Sequence, residues 1–242
     1  MDNLCALFNK RLPWVLRNSS ARYTVSPMRD AFHDDLATIE ATLVEMAQLV
    51  SHAMERATTA LLTSDLKLAE EVISDDDRID EMQHELDDKT LNVMARQQPV
   101  ARDLRTLVTS LRMSADLERM GDLAHHIAKL ARMRYPNCAV PDELHPAFKE
   151  MGAVATRIIE KVGKVIDQHD SVGAIELDQD DDEMDKLHRF LFATMQNGQW
   201  PHSIEMTIDI TLLGRYYERC ADHAVSIAKR VYFLVNGEYA AE

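Results

Sequence analysis

The segment Ala115-Asp-Leu-Glu-Arg-Met-Gly-Asp-Leu-Ala-His-His-Ile-Ala-Lys129 returns one hundred residues later as Glu218-Arg-Cys-Ala-Asp-His-Ala-Val-Ser-Ile-Ala-Lys229, and seven of the twelve paired positions are identical. Side chains four apart share a helix face, so Glu118 and Asp122 point one way and Glu218 and Asp222 do the same. Each copy thus presents a claw of two carboxylates. In the first copy Leu104, Val108, Leu111 and Ala115 lead up to the claw at helical spacing, which predicts that the acids continue a buried or half-buried face. Two like charges there are costly unless a cation or several donors neutralise them. A single such pair reads most simply as an ion-pair network with Arg119, Lys129 or residues of another helix. Its recurrence in a repeat favours a bound cation.

Outward from the claw, the chain reads as helices. Leu36, Ile39, Leu43, Met46, Val50, Ala53, Ala57 and Leu61 keep a three-and-four rhythm that predicts a helix from Arg29 to Thr63. Ser64-Asp65 is a cap signal for a second helix, which carries Ile73, Ile79, Met82, Leu86 and Val93 and stops at Gln97-Gln98. Pro99 is expected in the first turn of a third helix reaching about Tyr135, and Pro136, Pro141 and Pro146 mark a link. The pattern then begins again. At an offset of 105, Glu45, Met46, Asp65, Ala69 and Glu71 match Glu150, Met151, Asp170, Ala174 and Glu176, while Asp76, Asp77 and Asp80 fall on Asp181, Asp182 and Asp185. At the claw the offset is 100, so five residues are expected to be missing between the second and third helices of the second copy, where Pro201 takes the part of Pro99. The reading is all-α: two tandem three-helix repeats with pseudo-twofold symmetry, over residues 28–138 and 139–242. Residues 1–27 carry Lys10, Arg11, Arg17 and Arg22 against one acid, Asp2, and are expected to be a disordered tail.

Composition narrows the function. With 41 acids against 27 lysines and arginines and a formal charge of -14, the chain is a poor partner for a nucleic-acid backbone. Seven glycines and seven prolines in 242 residues favour long helices. Cys5, Cys138 and Cys220 show no metal-ligand spacing and are odd in number, which argues against a disulfide framework or a thiolate zinc site. No apolar run approaches the roughly 18 residues that cross a bilayer, so membrane association is at most peripheral. Gly-rich phosphate loops and nucleophile signatures are absent, and the chain is not read as an enzyme.

The repeat gives the acids their weight. Asp76 with Asp80, and Asp181 with Asp185, form a second pair at i,i+4 on the neighbouring helix of each unit. In a three-helix unit the two pairs can converge, and four or more carboxylate oxygens make a hard site suited to Fe³⁺, Mn²⁺, Mg²⁺ or Ca²⁺. Asp122-Leu-Ala-His125 has the acid-histidine spacing of ferritin-like sites, but Val225 and Ser226 stand where the second unit would repeat His125 and His126, so His125 reads first as a core or surface histidine and second as an extra ligand of the first unit alone.

The paired Glu118-Arg-Met-Gly-Asp122 and Glu218-Arg-Cys-Ala-Asp222, the segment Gln97-Gln-Pro-Val-Ala-Arg-Asp-Leu-Arg105 and the two three-helix units resemble the PhoU family of phosphate-signalling regulators over essentially Met28 to Asn236. In that family an acidic Glu/Asp-x-x-x-Asp motif occurs once per unit on the third helix and binds multinuclear metal clusters. The resemblance implies Glu118, Asp122, Glu218 and Asp222 as metal ligands, with Asp76, Asp80, Asp181 and Asp185 as further ones. Iron is the first candidate, with zinc, manganese or magnesium behind it. It also implies a cytoplasmic negative regulator of phosphate uptake and phosphate-starvation signalling. Such a protein acts as an adaptor between the ATPase of a phosphate ABC transporter and a sensor histidine kinase, and a homodimer is expected. Two rival readings remain: a carboxylate-bridged redox enzyme or iron store, and a metal-free module whose acids bind a basic partner.

Overall fold

In a computed structural model that describes residues 27–238, the chain forms α1 (Pro27–Thr63), α2 (Leu66–Gln97), α3 (Ala101–Arg134), a 3-10 turn (Asp142–Leu144), α4 (His145–Gln168), α5 (Ser171–Gln196) and α6 (Ile204–Asn236), with no strand among the described residues. The tail expected over residues 1–27 lies outside the described residues except for Pro27, which opens α1.

Local chemistry sets the helix ends. Asp65 caps α2 by accepting a hydrogen bond from Leu68 N at 3.0 Å, and Asp170, its counterpart at an offset of 105, caps α5 by accepting from Val172 N at 3.0 Å. The two prolines behave otherwise than expected. Gln98 closes α2 in the left-handed conformation (φ 45°), so Pro99 lies in the link and α3 starts at Ala101. Pro201 likewise precedes α6, whose cap is the Ser203 hydroxyl accepting from Met206 N at 3.2 Å. The five missing residues are not a simple loop deletion. Helix α5 has 26 residues against 32 in α2, while the link lengthens from residues 98–100 to residues 197–203 and α6 starts late in register.

Helices α1, α3, α4 and α6 form the centre; α2 lies on α1 and α3, and α5 lies on α4 and α6. Helices α1 and α4 run antiparallel about the pseudo-twofold. Thr58 faces Gly152 and Ala47 faces Gly163, and the offset of 105 exchanges these two contacts. Around them Leu43, Met46, Val50, Met54, Phe148 and Met151 are all at most 1% exposed, each side chain stabilising the fold by about 1.5–3 kcal/mol. The Thr58 hydroxyl also meets the buried Tyr217 hydroxyl at 2.8 Å, joining α1 to α6. Arg56 on α1 binds Glu71 (2.8 Å) and Asp75 (2.6 Å) of α2, and Lys161 on α4 binds Glu176 (3.2 Å) and Asp180 (3.0 Å) of α5. These are repeat counterparts, so two acids of each second helix are spent on holding that helix in place. Between the units, Arg134 of α3 forks onto the buried Asp209 of α6 at 2.6 and 3.0 Å.

The stripe leading to the first claw departs from expectation. Leu104 and Val108 are 42% and 36% exposed, and the buried face of α3 is the adjacent one: Leu107, Ser110, Ser114, Leu117, Gly121, Ala124, Ala128 and Ala131. Its small residues admit three neighbouring helices at close range, a requirement that apolar spacing alone does not encode. The acids therefore sit on the border of the buried face.

The paired glycines yield opposite expectations for one substitution. A Cβ at Gly152 lies 2.4 Å from Thr58 Cγ2, and Thr58 is held by Tyr217. Gly152→Ala is expected to destabilise by about 1–3 kcal/mol. A Cβ at Gly163 meets Ala47 Cβ at an ordinary 3.5 Å. Gly163→Ala is expected to be neutral or to stabilise by up to about 1 kcal/mol, through lower helix cost. Urea unfolding of the two variants checks both signs.

Candidate metal centre

In the first unit the two predicted acid pairs meet. Asp76 and Asp80 of α2 face Glu118 and Asp122 of α3, because Gly121 lets α2 come close: a Cβ there would lie 3.0 Å from Ile79 Cδ1 and 3.4 Å from Asp76 Oδ1. Asp76 is buried, with only 9% of its side chain exposed, and Glu118 and Asp122 are 18% and 29% exposed. A ligand atom from each of Asp76, Asp122 and His125 lies within 4.8 Å of the other two. His125 Nδ1 contacts Asp76 Oδ2, and His125 Nε2 is buried without a hydrogen-bond partner.

Electrostatics bears out the cost anticipated for this face. Burial raises the Glu118 carboxyl above the usual range, the Asp122, Asp80 and Asp76 charges push it further, and Arg119 opposes them. Asp80 is raised by burial first and then by Asp76, Asp122 and Asp77. Arg119 binds Asp122 at 2.7 Å and lies 3.7 Å from Glu118, but it is 64% exposed. An exposed arginine on the rim offsets little of the charge collected behind it. The donor set of several carboxylates and one imidazole suits a divalent or trivalent cation, and the orphaned ring nitrogen is what a metal would satisfy.

The second unit is arranged differently. Glu218 is raised by burial and by Asp222, against Arg215, whose Nη1 contacts Glu218 Oε2. Asp222 is exposed, Asp181 is half-buried, and Asp185 is 46% exposed with Arg189 Nη1 at 3.6 Å. Ala221 stands where the first unit has Gly121, and α5 comes close to α6 instead at Gly214, where a Cβ would lie 2.9 Å from Leu191 Cδ1. Cys220, inside the motif, is buried and its thiol is pushed up to about 12, so it offers no thiolate. Among the described residues no second group of three donors comes as close as the first.

The model of the PhoU domain family matches residues 43–131 and 148–231, one match per three-helix unit. The phosphate-specific transport system accessory protein PhoU homolog 2 of Mycobacterium tuberculosis is 44% identical over 212 residues, covering 88% of this chain and 100% of that relative. A PhoU homolog of Rhizobium meliloti, named in the same way, is 29% identical over 86% of this chain and 88% of its own length. The crystal structure of the phosphate transport system regulatory protein PhoU from Streptococcus pneumoniae superposes with a TM-score of 0.77 at 26% identity, covering 87% of this chain and 100% of that one. PhoU from Pseudomonas aeruginosa superposes with a TM-score of 0.76 at 28% identity, covering 86% and 100%.

The raised carboxyls set the sign of a pH dependence in metal-free protein. A carboxyl that holds its proton more tightly when folded penalises the native state above its folded-state pKa. The penalty is relieved as pH falls through that value toward the ordinary 4.5 of glutamate, so these groups make stability rise with acidification in that window. Glu118→Gln is expected to raise metal-free stability at pH 7 and to flatten the profile from pH 7 down toward 4.5. Chelator-treated protein melted across that range provides the check.

Proposed function

This chain belongs to the PhoU family, and on that premise we propose that it is a cytoplasmic, metal-binding negative regulator of phosphate uptake and phosphate-starvation signalling. It acts as an adaptor between the ATPase of a phosphate ABC transporter and a sensor histidine kinase. The observation that carries the metal part is the convergence of Asp76, Asp80, Glu118 and Asp122 from two helices with no lysine or arginine buried among them in the described residues. Asp181, Asp185, Glu218 and Asp222 form the second, more open site of the proposal. Iron is the first candidate metal, followed by zinc, manganese and magnesium.

The adaptor part draws support from names and from surface. Relatives named as transport-system accessory proteins match the chain along nearly all of its described length. Leu104 and Val108 of α3 and Ile204, Ile208 and Leu212 of α6 are exposed, and Leu104 with Ile204 and Val108 with Ile208 are repeat counterparts. In this reading they form the contact surface, and metals brace the helices behind it. No described helix is long and apolar enough to cross a membrane, which fits a role in contact with a transporter rather than as part of its channel. The rival oxidase or iron store wants matched acid-histidine pairs in both units, and Val225 breaks that match.

Replacing Glu118 and Asp122 by Ala is expected to lower bound metal by about half with the helices intact, since removing mutually repelling acids relieves the metal-free fold. Element analysis after loading checks this, and undiminished metal would overturn the assignment. Deleting the gene is expected to switch on phosphate-scavenging genes in phosphate-rich medium. A Leu104→Asp, Val108→Asp variant is expected to capture the transporter ATPase at least about tenfold more weakly while keeping its metal. Continued repression in the deletion strain, with neither ATPase nor kinase captured by the purified protein, would overturn the regulatory reading in favour of an assay for iron-dependent oxygen consumption.

A further inference from the structure

The histidine beside the first acid pair has no counterpart in the repeat: His125 of α3 corresponds to Val225 of α6. The geometry points to His125 as a nitrogen ligand of the first-unit metal, which makes that site a mixed nitrogen-oxygen centre with a preference for transition ions that the second unit does not share. The inference deepens the metal-binding reading above and rests on it.

Three observations carry it. Ligand atoms of Asp76, Asp122 and His125 lie within 4.8 Å of one another, and a cation with bonds of about 2.0–2.3 Å draws opposing donors to roughly 4–4.5 Å, so small inward movements complete the centre. One imidazole nitrogen already faces a carboxylate, the pairing that fixes the tautomer and ring orientation of metal-binding histidines. The other nitrogen is buried with no hydrogen-bond partner, an arrangement that native interiors avoid unless something else satisfies the atom. With Nδ1 donating to Asp76, the Nε2 lone pair is bare, and a cation on that side of the ring can take it while Asp76 orients the imidazole.

The asymmetry has a chemical consequence. Imidazole suits iron, zinc, copper and nickel, whereas magnesium, calcium and manganese favour carboxylate, carbonyl and water oxygens. The second unit does hold a histidine near its claw: His188 of α5 packs against Gly214, one turn before Glu218, with Nε2 also buried and without a hydrogen-bond partner. It comes from a different helix, and although its charge acts on Glu218 it forms no triad of donors as close as that of the first unit. The repeat has therefore kept the acids and let the nitrogen donor diverge.

The test uses the full chain with Glu218 and Asp222 replaced by Ala, so that the first site reports alone. Manganese(II) is loaded and counted, and ¹⁴N coupling to the bound ion is read by electron spin echo envelope modulation. The expected result is bound manganese with imidazole-type nitrogen modulation, lost in His125→Val and in the near-isosteric His125→Asn, while circular dichroism shows both variants folded. The preference for zinc over magnesium should fall at least about tenfold in both. Bound manganese without nitrogen modulation, or modulation that survives both substitutions, overturns the inference and leaves the metal reading standing. Failure of this chain and of the unsubstituted protein to bind manganese, iron or zinc overturns both.

Discussion

Everything in this molecule is positioned by the antiparallel contact of α1 with α4. Thr58 enters the gap left by Gly152, and Ala47 lies against Gly163, so the two central helices approach closely at two points related by the repeat. A sliding shift of either helix would bring a side chain against Thr58 in place of Gly152. With that register set, Tyr217 reaches Thr58, Arg134 reaches Asp209, and α3 and α6 lie side by side with their acid motifs on the border between buried and exposed surface. The cations at the repeat-related positions Arg56 and Lys161 then dock α2 and α5 by their Glu71/Asp75 and Glu176/Asp180 pairs, which leaves the next acid of α2, Asp76, in the layer beside the first claw.

That arrangement is unfavourable for the metal-free fold, and the unfavourable part is concentrated where function is proposed. Glu118 and Asp80 sit above the usual carboxyl range because burial and each other's neighbours disfavour their charges. A purely structural ion-pair network would place its bases among the acids. Here the bases that were spent on structure, Arg56 and Lys161, bind different acids, and Arg119 stays on the rim. Binding a cation converts the stored repulsion into attraction, which couples site occupancy to the stability of α2 against α3. The second unit carries less of this tension: Asp222 is exposed, and Arg215 and Arg189 hold Glu218 and Asp185.

Sequence made the architecture legible because the repeat is written in residues that act locally. Asp65 and Asp170 cap their helices with their own side chains, and Met46 and Met151 are both fully buried, so pattern and structure agree at these positions. What was not legible depends on distant neighbours. Apolar spacing picked Leu104 and Val108 as the inner stripe of α3, whereas the inner face is built of Ser110, Ser114, Gly121 and Ala124 so that three helices can crowd it. Pro99 and Pro201 looked like first-turn residues, but the left-handed Gln98 and the Ser203 cap move both helix starts beyond them. The eight acids were visible as pairs, but that the first unit alone, among the described residues, brings three donors within 4.8 Å of one another depends on packing between helices that spacing does not encode. His125 was visible as a spacing and discounted for lack of a partner in the repeat, and its buried nitrogen is a fact of packing alone.

The central claim is that a cation occupies the layer between α2 and α3 of the first unit. Anomalous diffraction from crystals of protein purified without chelators, recorded at the iron, manganese and zinc absorption edges, tests it most directly. An anomalous peak bounded by Asp76, Asp80, Glu118, Asp122 and His125 is expected. Well-ordered side chains around that layer with no peak at any of the three edges, or a metal bound only elsewhere on the chain, would contradict it.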